Sequence, residues 1–160
     1  MKSKYISFLI IVLLLGMVCM AAVCAKDSMK TGQFGDVSMD VPKDSNFAKQ
    51  AVNNSANDME IEFDMYADEK LPIIVALTDF SLLSNENSAI FYQTMFEFMD
   101  PESNSAYEYQ DGNLRIMEST SDAKSHYALV GFNLDNYTII LIGEDVNLLK
   151  RMAKTAELNS

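Results

Sequence analysis

Tyr127-Ala128-Leu129-Val130-Gly131-Phe132-Asn133 and Tyr137-Thr138-Ile139-Ile140-Leu141-Ile142 stand on either side of Leu134-Asp135-Asn136. Two runs this rich in β-branched and aromatic residues, so close together, predict a β-hairpin and hence an antiparallel sheet. The period then changes. Asp145 is suited to cap a helix running to about Glu157, with Val146, Leu149, Met152, Ala153 and Ala156 as its buried stripe. Lys150, Arg151 and Lys154 fall toward its C-terminus, where cations favour the helix dipole.

Upstream, similar signals recur. Tyr107 to Ile116 reads as a hairpin whose turn contains Asp111-Gly112. Ser84 or Asn85 opens a helix over about Glu86 to Met99, with Ile90, Phe91, Met95, Phe98 and Met99 inward, and Asp100-Pro101 ends it. Leu71 to Thr78 is almost continuously apolar, the pattern of a central strand buried on both faces. Met59, Ile61, Phe63 and Met65 alternate with Glu60, Glu62 and Asp64, and Val37, Met39 and Val41 alternate with polar residues up to Pro42. Lys43 to Asn57 is ambiguous: Phe47, Ala48, Ala51 and Val52 have helical spacing, but Asn53-Asn54-Ser55 breaks it.

The expectation is an α+β fold. A single twisted antiparallel sheet of about six to seven strands carries two or three helices on one face and leaves polar strand faces on the other. The domain occupies 34–160, after a polar tether over 26–33 and an N-terminal segment over 1–25.

That N-terminal segment is uncharged from Tyr5 to Ala25, follows Lys2 and Lys4, and ends in Val23-Cys24-Ala25. Positive residues stay cytoplasmic, so the remainder is expected to be exported. The small residues fit signal-peptidase cleavage after Ala25, whereas the length of the apolar run fits a retained anchor. Neither Cys19 nor Cys24 has the small residue before it, and the Leu three before, that lipid attachment prefers. Both cysteines lie in this segment, so the exported part has no disulfide, thiolate metal site or cysteine nucleophile. The chain carries a formal charge of −11, and losing Lys2 and Lys4 would make it more acidic still. Such a body repels nucleic acid and anionic headgroups; its partner is expected to be a protein or envelope component, plausibly cationic, with membrane contact only through the N-terminal segment.

Several side-chain groups are candidates for chemistry. Glu60, Glu62 and Asp64 share a strand face near Asp58, Asp68 and Glu69, which reads first as a solvated face and second as a cation site. Asp100, Glu102, Asn104, Ala106, Glu108 and Asp111 have the relative spacing of a calcium loop, though Ser105 and Asp111 replace its usual Gly and Glu and Pro101 intrudes. His126 is the sole histidine, and its neighbour Ser125 would point to the opposite strand face, a poor nucleophile–base pair. Tyr107 and Tyr109 share one strand face and could stack a sugar or peptide, or simply pack in a core. Asn53 and Asn136 begin glycosylation sequons. The methionines are spread over separate elements, as core filler would be.

The tail Tyr137–Leu158 and the opening Val37-Ser-Met-Asp-Val-Pro-Lys-Asp-Ser-Asn-Phe47 resemble those of small exported proteins of methanogenic archaea. That resemblance implies an exported α+β domain and brings no site residues. The element order is also similar to the PsbP/Mog1 type of sandwich, a likeness of fold only. The expected function is a non-enzymatic, exported binding or structural domain, with no assigned catalytic, cofactor or metal residue. The alternatives are an extracytoplasmic carboxylate hydrolase, with or without calcium, and a membrane-tethered assembly factor.

Overall fold

A computed structural model of the chain describes residues 28–51, 63–79, 92–93, 95–96, 106–119 and 126–159. Ten strands run in chain order: β1 (Met29–Phe34), β2 (Val37–Pro42), β3 (Phe47–Gln50), β4 (Phe63–Asp68), β5 (Ile74–Asp79), β6 (Ala106–Asp111), β7 (Leu114–Ser119), β8 (Ala128–Leu134), β9 (Tyr137–Gly143) and β10 (Glu157–Leu158). Helix α1 (Val146–Lys154) precedes β10. The strands form two sheets, one ordered β1-β2-β10 and a larger one ordered β3-β4-β5-β9-β8-β7-β6, with every pairing antiparallel.

This corrects the expected α+β architecture of one sheet carrying two or three helices. The described residues are mainly strand, in two sheets, with α1 the one complete helix among them. Residues 92–93 and 95–96 are also helical, inside the helix expected over Glu86 to Met99; the rest of that span lies outside the described residues.

Two local signals account for the additional sheet. Gly35-Asp36 forms a two-residue turn with Gly35 at φ 61°, a left-handed conformation in which glycine avoids a Cβ clash. The turn folds Met29–Phe34, all but Phe34 of it in the stretch expected as tether, back onto β2. At the other end, α1 stops at Lys154 and not near Glu157. Thr155 accepts from Asp40 N–H at 2.9 Å, and Glu157-Leu158 then pairs with Ser38-Val37. Phe47–Gln50 also becomes a strand despite its helical spacing, because it lies along β4 in register from Phe47↔Asp68 to Gln50↔Met65.

The larger sheet is covered on both faces, so the expected polar second face is not found on its central strands. On β5 and β9, Val75, Leu77, Ile139 and Leu141 enter one core, while Ile74, Ala76, Ile140 and Ile142 enter the other. The first core is closed by Val37, Met39 and Val41 of β2 and by Leu149, Met152 and Ala153 of α1. The second is closed by Tyr92, Met95 and Phe96. Each buried aliphatic side chain contributes about 1.5–3 kcal/mol, so the continuous apolar run of β5 stabilises both layers together. Phe34 joins the small sheet to the large one, meeting Phe47 and Tyr66 edge-on with centroids at 5.0 and 5.3 Å.

Candidate functional site

The register of the last hairpin of the large sheet decides what faces outward. Asp111 pairs with Leu114 across Gly112-Asn113, and the ladder runs without a bulge to Ala106↔Ser119. Gly112 has φ 66°, as the first central residue of a two-residue hairpin turn requires. Such a turn closes on a hydrogen-bonded pair. Tyr107, Tyr109 and Asp111 therefore exchange backbone bonds with β7, and Glu108 and Gln110 direct theirs away from it. Among the described residues, β6 has no strand on that outer side.

Tyr107 and Tyr109 lie on the same face of β6, with ring centroids 5.4 Å apart and planes inclined by 36°. Tyr109 is fixed from three directions. Its hydroxyl donates to Glu118 Oε1 at 2.7 Å, Lys150 Nζ of α1 stands 5.4 Å from its ring centroid, and Tyr107 covers its other side. Tyr107 is 63% exposed and is the one large hydrophobic side chain exposed to that degree among the described residues. Stacked on the anchored Tyr109 ring and left in water, Tyr107 is the kind of exposed apolar surface that a partner can cover. Hydrogen bonding to Glu118 raises the Tyr109 phenol above its ordinary range.

Lys150 also locks the hairpin to the helix by pairing with Asp111 Oδ2 at 2.9 Å. The hydrogen bond between them depresses the Asp111 carboxyl below its usual value and raises the Lys150 ammonium above its own. The depressed carboxyl contributes stability above the ordinary carboxylate range, lost as pH falls through its folded value. The raised ammonium contributes stability below the ordinary lysine range, lost as pH rises through its folded value. Thermal melts of Lys150→Met and of the native chain should therefore differ across neutral pH and converge in strong acid. A difference that persists unchanged below pH 3 would contradict the pairing.

Among the described residues the other sequence candidates are not brought together. Glu108 faces away from Asp111, because the two are three residues apart on a strand, and it accepts from Arg115 Nε at 2.7 Å. The two calcium-loop carboxylates within the described residues thus sit on opposite faces, each beside its own cation; Asp100, Glu102 and Asn104 lie outside those residues. So do Asp58, Glu60 and Glu62, whereas Asp64 is exposed and pairs with Lys49 at 2.7 Å. Asp68 is buried and accepts backbone N–H groups from Asn46, Lys70 and Leu71, which makes it a fastener of the β3–β4–β5 corner. Glu69 accepts from the Asn46 side chain. His126 is exposed, just before β8. Asn136 is exposed at the β8–β9 turn, but its sequon hydroxyl, on Thr138, is buried and donates to Asn133. Asn53 lies outside the described residues. No group of three or more metal-ligating side chains forms among the described residues.

A concavity of about 140 Å³ lies between β1 and β3, lined by Lys30, Gln33, Phe34, Ser45, Asn46 and Phe47 among others. Small-molecule sites usually exceed about 300 Å³, and Lys30 Nζ already donates to Ser45 O at 2.6 Å, so this is a poor ligand site.

Sequence reasoning placed Tyr107 and Tyr109 on one face but missed Tyr92. Its ring lies so close over Gly131 that a Cβ built on that glycine would fall 1.9 Å from Tyr92 Cε1. Arg115 covers the ring at 4.8 Å, and burial pushes the phenol up to about 12. Gly131, a lone glycine within a strand pattern, was the available signal of such close approach. No protein-family model matches this chain, and no curated protein matches it.

Proposed function

We propose that this chain is an exported, non-enzymatic domain, released or held at the outer face of the cytoplasmic membrane, that binds a partner through the open side of β6. The observation that carries the binding role is Tyr107, exposed on a strand with no outer neighbour among the described residues and stacked on Tyr109, which Lys150 and Glu118 hold in place. The observation that carries export is the uncharged run Tyr5–Ala25 behind Lys2 and Lys4. The hydrolase reading gains no such support. Asp64, Glu108 and Asp111 are each engaged by a cation, and Asp68 by backbone amides.

Protease treatment of intact cells, followed by intact-mass measurement of the untreated native protein, tests the export. The expected result is a protease-accessible chain beginning at Lys26, or a membrane-held one retaining residues 1–25. A full-length chain recovered in the cytosol and shielded from external protease would overturn it.

A further inference from the structure

We propose that the outer edge of β6 recruits an extended, cationic polypeptide segment as an added antiparallel strand. This deepens the binding role proposed above and rests on it.

The contrast among strand edges carries the inference. Exposed edges normally carry devices against pairing: Lys or Pro, a bulge, extreme shortness or a covering segment. The opposite edge of the large sheet, β3, is four residues long, ends in Lys49-Gln50, and has Lys30 of the neighbouring sheet reaching its approach at Ser45 O. In the small sheet, β10 has two residues, and the following Asn159 N–H bonds Asp36 O at 2.8 Å. Edge strand β1 carries Lys30 and Gly32 within it. By comparison β6 has six residues, Ala-Tyr-Glu-Tyr-Gln-Asp, with no Lys, Pro, Gly or bulge. Its outward backbone groups are those of Ala106, Glu108 and Gln110, its charged residues Glu108 and Asp111 are acidic and paired with Arg115 and Lys150, and its exposed aromatic is Tyr107.

Charge selects the occupant. The chain carries −11 overall, so a second copy or an acidic segment would meet repulsion and a basic one would be drawn in. Side chains of the incoming strand alternate between two faces. On one face an apolar or β-branched residue would cover Tyr107. On the other a Lys or Arg would approach Glu108, whose Oε1 is engaged by Arg115. Backbone bonds would give affinity and this alternation the selectivity, as in strand addition generally.

Calorimetric titration of the full chain with a short synthetic peptide alternating lysine and valine tests the inference, with a glutamate-for-lysine peptide as comparison. Saturable binding of the lysine peptide is expected, weakened roughly tenfold or more in Tyr107→Ala and in Gln110→Pro. Proline at 110 removes an outward N–H while sparing the β6–β7 ladder, and Tyr107→Ala alters an exposed side chain, so neither should disturb the melt. Equal binding of the two peptides, no binding of either, affinity unchanged in both variants, or dimerisation through the same edge would each overturn it. The export measurement is independent: an exported chain that ignores the lysine peptide loses this inference and keeps the broader reading.

Discussion

Gly131→Ala is expected to cost about 3 kcal/mol in the native chain and close to nothing in a Tyr92→Ala background. The methyl group would occupy space that the Tyr92 ring fills, 1.9 Å from Cε1 and 2.8 Å from the hydroxyl oxygen. The ring must then leave the core, giving up its burial against the sheet and its contact with Arg115. Removing the ring first, by Tyr92→Ala, should itself cost about 3–5 kcal/mol, the usual range for a buried aromatic. Once it is gone, the methyl group has room. Denaturant unfolding of the two single variants and the double variant closes the cycle. Equal costs of Gly131→Ala in both backgrounds would show that the ring does not lie on Gly131, and with it the second core layer would be misassigned.

The second large effect is at Asp68. Its Oδ1 accepts from Lys70 and Leu71 N–H at 2.8 and 2.6 Å, and its Oδ2 accepts from Asn46 N–H. Asp68→Ala leaves all three amides without this acceptor at the corner where β3 is pinned to the β4–β5 turn, and should cost about 2–4 kcal/mol. Asp68→Asn keeps one side-chain oxygen and should lose about half as much. An alanine variant as stable as the native chain would mean that water replaces the carboxylate fully. Edge strand β3 would then be held by its ladder to β4 and by the bonds between Asn46 and Glu69.

Local signals with a short reach were legible in the chain. Asp145 caps α1 by accepting from the Asn147 and Leu148 amides, as its place before the helical stripe implied. The Asp111-Gly112 turn and the pair of apolar runs around Leu134-Asp135-Asn136 form the two hairpins expected of them. Leu71 to Thr78 contains β5 except its last residue, Asp79, and β5 lies between β4 and β9 with side chains in both cores. What failed depends on partners distant in sequence. Met29–Phe34 is polar except at its ends and is a strand only because β2 is beside it. The two residues of β10 have no strand signature without β2. Phe47–Gln50 follows β4 against its own spacing.

The site divides in the same way. That Tyr107 and Tyr109 share a face follows from strand alternation. That their strand is last among the described strands of the sheet, and that a helix lysine clamps one ring while the other stays in water, follows from strand order and from α1 crossing that face. Neither is a local property. For the calcium spacing the described part shows the converse: Glu108 and Asp111 match a loop in sequence, but a strand turns them to opposite faces.

Amide exchange at β6 in the full chain, at low protein concentration, tests the open edge most directly. The Glu108 and Gln110 amides should exchange orders of magnitude faster than those of Tyr107 and Tyr109, with the slow set bonded to β7. Adding the lysine–valine peptide should slow the fast pair and leave the others as they were. Slow exchange of Glu108 and Gln110 in the free chain would mean that the edge is already occupied, and would contradict the account.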